Sequence, residues 1–299
     1  MTGGTVFDIG YQRYSGAREG AGRSRWAVLK DGIRIALGLG RPPRAKVLPW
    51  FFITLLTVIG LVMALIAGAI NKYVAPGAAR VFNLPSHQDY YGIASIILFL
   101  FAAVVGPELL CRDRREGTLS LYLVRPVSAS AYLWARWSAF LVVMLLAVWL
   151  PQLILFLGLC LGDPSPVKYL AANWLDIPRF LGAGLALAVY TTTLAMLTAS
   201  FTSRRAYASV FLVGLFLVTT PITTGMAIGI GGTTGQWLSL FSLTNTPLHI
   251  NDWLFGTPSS LTRNAPARAF GTRVLVGWYF LWTLVPLGIL WTRYRKLTA

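Results

Sequence analysis

The sequence predicts an all-α integral membrane protein with six transmembrane helices and an N-terminal interfacial amphipathic helix. Of its 299 residues, 56% are hydrophobic and 12% are charged, and the mean hydropathy is +0.63. Charged residues make up about a quarter of an ordinary soluble domain, so most of this chain is expected to lie in lipid. The apolar residues form continuous runs and do not alternate with polar ones, which favours helices over a β-barrel.

Six apolar runs are long enough to cross a bilayer, which takes about 20 helical residues. They lie at 48–70, 91–110, 132–161, 178–201, 207–230 and 272–292. The chain therefore divides into a tail with the interfacial helix at 1–47, a six-span domain at 48–292 and a second tail at 293–299. Gly-x-x-x-Gly pairs at 158–162 and 225–229 predict close helix packing in the third and fifth spans.

The basic residues are distributed unequally between the two sides of the predicted membrane. With the N-terminus inside, 19 of the 26 Lys and Arg residues lie on the inner side. The positive-inside rule then predicts a multi-pass protein with both termini in the cytoplasm, and we expect it in the plasma membrane. The net charge of +16 lies between apolar runs and not on one compact face, so it indicates membrane lipids as partners and no nucleic acid.

Two segments outside the spans have an amphipathic character. At 24–40, Trp26, Leu29, Ile33 and Leu37 recur at helical spacing, which predicts a helix lying in the cytoplasmic interface. A basic tail whose pattern is accidental is the alternative. The outer connection at 231–271 is half apolar, and we expect short helices there that dip into the outer interface, with a disordered loop as the alternative.

Residue patterns for enzyme chemistry are absent from the sequence. The two histidines, His87 and His249, form no His-Glu-x-x-His pair, and no serine occurs in a Gly-x-Ser-x-Gly pattern. None of the lysines follows a glycine, which excludes a Walker A phosphate loop. We therefore expect no enzyme, no metal and no cofactor in this chain, and the sequence identifies no substrate-binding residue.

The connection between the second and third spans, at 108–130, has the most specific pattern in the chain. Glu108 ends the second span, Glu116-Gly117-Thr118-Leu119 follows, and Arg-Pro-Val-Ser at 125–128 leads to Tyr132. This order resembles the signature of ABC-2 type permeases, the transmembrane subunits of ATP-driven exporters. The six spans and the half-apolar outer segment agree with that resemblance.

The resemblance implies that 108–130 contains a coupling helix that seats on a separate ATP-binding cassette subunit, where ATP and Mg²⁺ would bind. A second permease copy would complete the transporter. Independently, Gly117 and Pro126 bracket a short apolar piece rimmed by arginines, which suits a docking knob. Asp113 and Glu116 would pair within this knob or with cations of the partner. The residues expected at the interface are Glu108, Arg112, Arg115, Glu116, Gly117, Thr118, Leu119, Leu121, Tyr122, Arg125 and Pro126.

The resemblance also implies export, or movement between leaflets, of a hydrophobic, amphipathic or peptide-like substrate. Two other functions stay open at this point. One is a membrane scaffold or anchor that docks through the same loop, and the other is an ion-coupled secondary carrier, which the lack of acidic residues at mid-membrane depth makes less favourable.

Overall fold

The computed structural model describes residues 20–73, 86–117, 128–259 and 262–296, and this part of the chain is helical and contains no strand. Its α-helices are α1 (Ala21–Ala36), α2 (Pro43–Tyr73), α3 (His87–Arg115), α4 (Ala129–Leu161), α5 (Pro166–Asn173), α6 (Asp176–Phe201), α7 (Arg205–Ile230), α8 (Gly232–Leu240), α9 (Asn245–Phe255) and α10 (Thr272–Arg295). A 3₁₀ turn at Pro266–Phe270 precedes α10.

The prediction of six spans is confirmed. In the described residues, α2, α3, α4, α6, α7 and α10 are long and apolar enough to cross a membrane. Most helices extend beyond the predicted apolar runs by a few residues, because polar residues continue the last turns. In α3, for example, Ser86 and Asp89 form a reciprocal capping box. The helix therefore begins at His87, four residues before the predicted start at residue 91.

The centre of the bundle is formed by α3 and α6. Within their most apolar stretches 67% of the residues are buried, against 17% in α7. Packing of α3 against α4, α6 and α7 covers most of its circumference, while α4 packs on α1, α2 and α6. Side chains such as Leu98, Phe101 and Phe140 are completely buried in this core. The outer helices α2, α7 and α10 present most of their apolar surface to the surroundings.

The two Gly-x-x-x-Gly pairs differ in their packing. A Cβ on Gly158 would lie 2.5 Å from Cβ of Ala64, and one on Gly162 would lie 2.6 Å from Cα of Gly68, so α4 and α2 approach each other through these glycines. Around Gly225 and Gly229, no atom of the described residues lies within 4 Å of an added Cβ. The prediction of packing is therefore confirmed for the first pair, whereas the second pair has no packing partner among the described residues.

The predicted helices outside the spans are present. Helix α1 packs on α4 and buries Val28, Gly32 and Ile35, whereas Trp26 of the predicted apolar face is 60% exposed. The predicted face is rotated because Gly32 allows α1 to contact α4 closely, with an added Cβ only 2.6 Å from Cβ of Ala139. Its position at a membrane surface stays a prediction. In the outer segment, α8, α9 and the 3₁₀ turn replace the disordered loop of the alternative.

Candidate functional site

One end of the bundle is rich in arginine, and the five sequence-predicted docking residues that the structure describes are found there. We call it the arginine-rich end, and it contains Arg41, Arg112, Arg205 and Arg293. Helix α3 ends at Arg115, and Gly117 follows with φ of +68°, a left-handed conformation that glycine adopts without a steric cost. The chain thus turns away from α3 at the residue where the predicted docking knob begins.

Glu108 lies on the last part of α3 and links three separate elements. Its carboxylate accepts a hydrogen bond of 2.7 Å from Nη1 of Arg41, which lies just before α2. Arg205, at the start of α7, donates to the other carboxylate oxygen. A charge-assisted contact of this kind is about twice as strong as a neutral one. Glu108 therefore joins the ends of α2, α3 and α7.

A cavity of about 390 Å³ lies beside this clamp, within the range of about 300–1,000 Å³ that is typical of small-molecule sites. We call it the arginine cavity. Its described lining includes four arginines and two glutamates, and the pair Arg112 and Glu116 closes one wall through contacts of 3.0 and 3.2 Å. These charged residues are Arg41, Arg112, Arg115, Arg205, Glu108 and Glu116.

A buried ion-pair node lies close by, between α1, α3 and α4. Arg136 of α4 is completely buried; its Nη1 donates to Asp31 of α1 at 2.9 Å and its Nη2 donates to Asp113 of α3 at 2.7 Å. The hydroxyl of Tyr132 donates to the same Asp113 oxygen at 2.5 Å. A buried arginine requires such partners, because removing a charge from water costs several kcal/mol. The node therefore fixes α1 against the two spans that flank the predicted knob.

Arginines also hold the end of α6 at the arginine-rich end. Arg293 of α10 donates through Nε to the carbonyl of Ser200 at 3.0 Å, and Arg114 of α3 donates to the same carbonyl. The thiol of Cys111 contacts the carbonyls of Ala199 and Thr202 at 3.5 and 3.2 Å. Basic side chains satisfy the free carbonyls at a helix C-terminus and interact favourably with its dipole. Helices α3, α6 and α10 are thereby joined.

The structure gives a partial view of the predicted interface. It brings Glu108, Arg112, Arg115 and Glu116 together around one cavity, and Gly117 ends α3 beside them. The remaining predicted residues, Thr118, Leu119, Leu121, Tyr122, Arg125 and Pro126, lie outside the described residues. Whether any of these residues contacts an ATPase stays a prediction.

Comparison with known protein families identifies the chain. The sequence model of a family described as ABC-2 family transporter protein matches residues 52–297. The chain belongs to this family. A comparison with curated proteins gives no match. The family membership agrees with the resemblance of the segment between the second and third spans, and it makes this chain a multi-pass membrane transport protein.

The central residue of the arginine-rich end was not predicted. Arg136 was expected only to be one of the basic residues of the inner side, although it is the most buried charged side chain among the described residues of this ABC-2 protein. Asp113 pairs with it, a contact that the sequence did not indicate, and Glu116 pairs with Arg112, which was one of the two predicted kinds of contact. The available signal was the position of Arg136 one turn after Tyr132 on an apolar helix, where an unpaired charge would be costly.

The opposite end of this ABC-2 protein is closed by a second buried carboxylate. Asp252 of α9 accepts hydrogen bonds from the backbone N–H of Ser259 at 2.9 Å, from the hydroxyl of Thr262, from Nε2 of Gln88 at 3.3 Å and from Nη1 of Arg268 at 3.2 Å. Asn251 donates to the carbonyl of Gln88 at 3.1 Å. These contacts attach the outer segment to the first turn of α3.

A buried histidine lies next to this carboxylate. Burial lowers the pKa of His249 to about 4, with Asp252 opposing and Arg268 reinforcing the shift. The ring is therefore neutral at pH 7, and its Nδ1 has no hydrogen-bond partner among the described residues.

Proposed function

We propose that this chain is the permease subunit of an ATP-driven exporter, energised by a separate ATP-binding cassette subunit that docks at the arginine-rich end. Both termini face the cytoplasm, and two permease copies and two ATPase subunits form the working transporter. ATP and Mg²⁺ bind in the ATPase subunit. The cargo is hydrophobic, amphipathic or peptide-like and moves across the membrane or between its leaflets.

Membership of the ABC-2 family over residues 52–297 is the observation that carries this proposal. The geometry of the arginine-rich end supports it. Gly117 ends α3 next to two sets of ion pairs. Those of Glu108 link α2, α3 and α7, and those of Arg136 link α1, α3 and α4. A partner that pushes on the segment after Gly117 would act on five helices at once, as a rigid-body switch requires. The excess of basic residues at this end agrees with a cytoplasmic orientation.

Purification in lipid nanodiscs with the ATPase encoded beside this gene tests the proposal. We expect stable co-elution and stimulation of ATP hydrolysis by the permease. The double variant Glu116→Arg with Leu119→Ala should weaken association at least tenfold, since it reverses a charge and removes an apolar contact of the predicted knob. The matched control is Trp253→Ala, which removes a 55% exposed side chain from the opposite end and should bind normally.

Two results would contradict the proposal in different ways. If wild-type permease associates with no ATPase, the chain acts as a scaffold or as a secondary carrier. If association occurs and the Glu116 and Leu119 variant binds as tightly as wild type, the ATPase docks elsewhere.

A further inference from the structure

The arginine cavity continues into an exposed stripe on an otherwise buried helix. The residues of α3 that remain accessible recur every three or four positions, as one face of a helix does. We call the apolar part the exposed stripe; its members are Ile93, Ile96, Leu100 and Val104. Glu108, Arg112 and Arg115 continue the same face to the end of α3. One helix face thus passes from apolar residues to a cluster of charges.

Helices α2 and α7 flank this stripe. Phe52 of α2 packs on Phe101, with ring centroids 5.9 Å apart, and Phe216 of α7 stacks on Phe99 at 4.1 Å. Phe99 and Phe101 are two positions apart and therefore lie on opposite sides of Leu100. Arg41 and Arg205 reach Glu108 from the same two sides. The stripe is consequently the floor of a groove that ends at the arginine cavity.

The arginine cavity has more positive than negative charge. Four arginines and two glutamates among its described lining leave an excess of two positive charges. Nη2 of Arg41 is buried without a hydrogen-bond partner in the described residues, and burial together with the nearby Arg112 lowers the pKa of Arg41. Residues 118–127, which adjoin the cavity in sequence, include no Asp or Glu that could neutralise this excess.

The length of the groove suits one lipid chain. From Glu108 to Ile96 the helix rises about 18 Å at 1.5 Å per residue, and half of the hydrocarbon core is about 15 Å thick. An acidic side chain of a soluble partner would satisfy the arginines and leave the stripe uncovered. A second copy related by two-fold symmetry around this face would place two positively charged cavities near each other, which is unfavourable without an anion between them.

We propose that the arginine cavity binds the phosphate of an anionic phospholipid and that the exposed stripe of α3 binds one of its acyl chains. The phosphate accepts hydrogen bonds from Arg41 and Arg112, because guanidinium groups bind phosphate through two parallel donors. The lipid belongs to the leaflet at the arginine-rich end, which is the cytoplasmic leaflet if the proposed orientation holds. Its binding requires neither ATP nor the ATPase, so the assignment goes beyond the proposed function.

Native mass spectrometry of the full-length permease with added lipid tests this assignment. Dioleoyl-phosphatidylglycerol is the probe, and dioleoyl-phosphatidylcholine is the control with the same chains and no net charge. Wild type should bind the anionic lipid about tenfold more tightly, which is the effect of one charge-assisted contact. Equal binding of the two lipids would overturn the proposal.

Matched arginine variants locate the head group. Arg41→Gln and Arg112→Gln should each remove most of the tenfold preference, since these two side chains line the arginine cavity and are the proposed phosphate donors. Arg204→Gln is the control, because this neighbouring arginine is exposed, lies against Tyr207 and is outside the cavity lining. A preference that survives both cavity substitutions would overturn the assignment, provided that the variants unfold at the wild-type temperature.

Matched tryptophan variants locate the acyl chain. Ile96 and Leu146 are 45% and 44% exposed, and only Ile96 belongs to the exposed stripe of α3. Ile96→Trp should therefore lower affinity for phosphatidylglycerol about fivefold, while Leu146→Trp should leave it unchanged. If inorganic phosphate alone binds as tightly as the lipid, the cavity is a site for free anions and the lipid assignment fails.

Other occupants of the groove give distinct results. Release of phosphatidylglycerol when the ATPase binds, or when two permease copies associate, would overturn the proposal and assign the groove to that partner. Because the lipid measurement uses the permease alone, its failure leaves the ATPase proposal untouched. Failure of ATPase binding likewise leaves the lipid assignment in place.

Discussion

The two ends of the bundle both contain a buried carboxylate, yet they are built differently. At the arginine-rich end, Glu108 and Asp113 meet arginines that lie 23 to 97 positions away in sequence, outside α3. At the opposite end, Asp252 is satisfied mainly by neutral donors, two of which lie within 10 residues of it. One end therefore joins separate helices mainly through charge, and the other joins the outer segment to the first turn of α3 mainly through neutral donors.

This difference indicates where a partner would act. Ion pairs between helices respond to a charged surface that approaches them, because that surface competes for the same arginines. A carboxylate surrounded by hydroxyl, amide and N–H donors offers little to such a surface. We therefore expect substitutions at the arginine-rich end to affect both stability and ATPase coupling, and substitutions at the opposite end to affect stability alone.

The largest effect is expected for Arg136→Met. The substitution removes the Arg136 ion pair from the buried Asp113 carboxylate, and breaking a buried pair in this way costs about 3–5 kcal/mol of unfolding free energy. Thermal or denaturant unfolding in detergent measures this loss. Arg115→Met is the control, since its side chain is 68% exposed and should change stability by less than about 0.5 kcal/mol. A loss below about 1 kcal/mol for Arg136→Met would show that the node is not a major contributor.

Asp252→Ala tests the opposite end. The substitution leaves the donors of Ser259 and Thr262 unsatisfied in a buried place, which costs about 1–3 kcal/mol of unfolding free energy. Stimulation of ATP hydrolysis by the folded variant should equal that of wild type. Reduced stimulation at normal ATPase binding would mean that the two ends are coupled, and it would contradict the expectation that the opposite end affects stability alone.

His249 predicts a pH dependence of stability. Its pKa in the folded protein is about 4, below the usual value of 6.5. Between pH 4 and pH 6.5 the unfolded chain therefore binds more protons than the folded protein does. Stability is therefore full above pH 6.5 and falls as the pH decreases toward 4, by roughly 2 kcal/mol between pH 7.5 and 5. Unfolding midpoints measured over this range should show the decrease in wild type. A His249→Gln variant with the same slope would contradict the assignment.

The smallest effect is expected from the glycine pairs. Gly158→Ala places a methyl group against Ala64 of α2 and forces the helices apart, at a cost of about 1–3 kcal/mol that is offset by about 1 kcal/mol of helix propensity. Gly229→Ala meets open space in the isolated chain and should be neutral or slightly stabilising. The free energies of unfolding of the two variants, each measured against wild type, test this difference. Destabilisation by Gly229→Ala would indicate that this face of α7 packs against another copy.

Much of the fold could be predicted because a single segment that crosses lipid must satisfy its own backbone hydrogen bonds, which a helix does. Each apolar run of sufficient length became a helix, and the half-apolar outer segment became α8, α9 and a 3₁₀ turn. The contacts between helices were beyond prediction. Nothing in the local sequence of Arg136 specifies Asp31, which lies 105 positions away, and the spacing of Gly225 and Gly229 is the same as that of the packed pair at Gly158 and Gly162.

The candidate site was predicted in part for the same reason. The sequence order around Glu108, Glu116 and Gly117 identified the region, since a local motif is readable without tertiary structure. The partners of Glu108 are Arg41, just before α2, and Arg205, at the start of α7, and their charge alone predicts only that they lie on the inner side. The arginine cavity exists only because three helices meet there.

Site-directed cross-linking tests the central claim most directly, namely that a separate ATPase docks at the arginine-rich end. Cysteines would be introduced singly at Arg115 or at Trp253, side chains that are exposed at opposite ends, in a background where Cys160 is replaced by Ser and Cys111 is buried. We expect Arg115→Cys to form a cross-link to the ATPase and Trp253→Cys to form none. Cross-links from Trp253→Cys, or from neither position in an active complex, would contradict it.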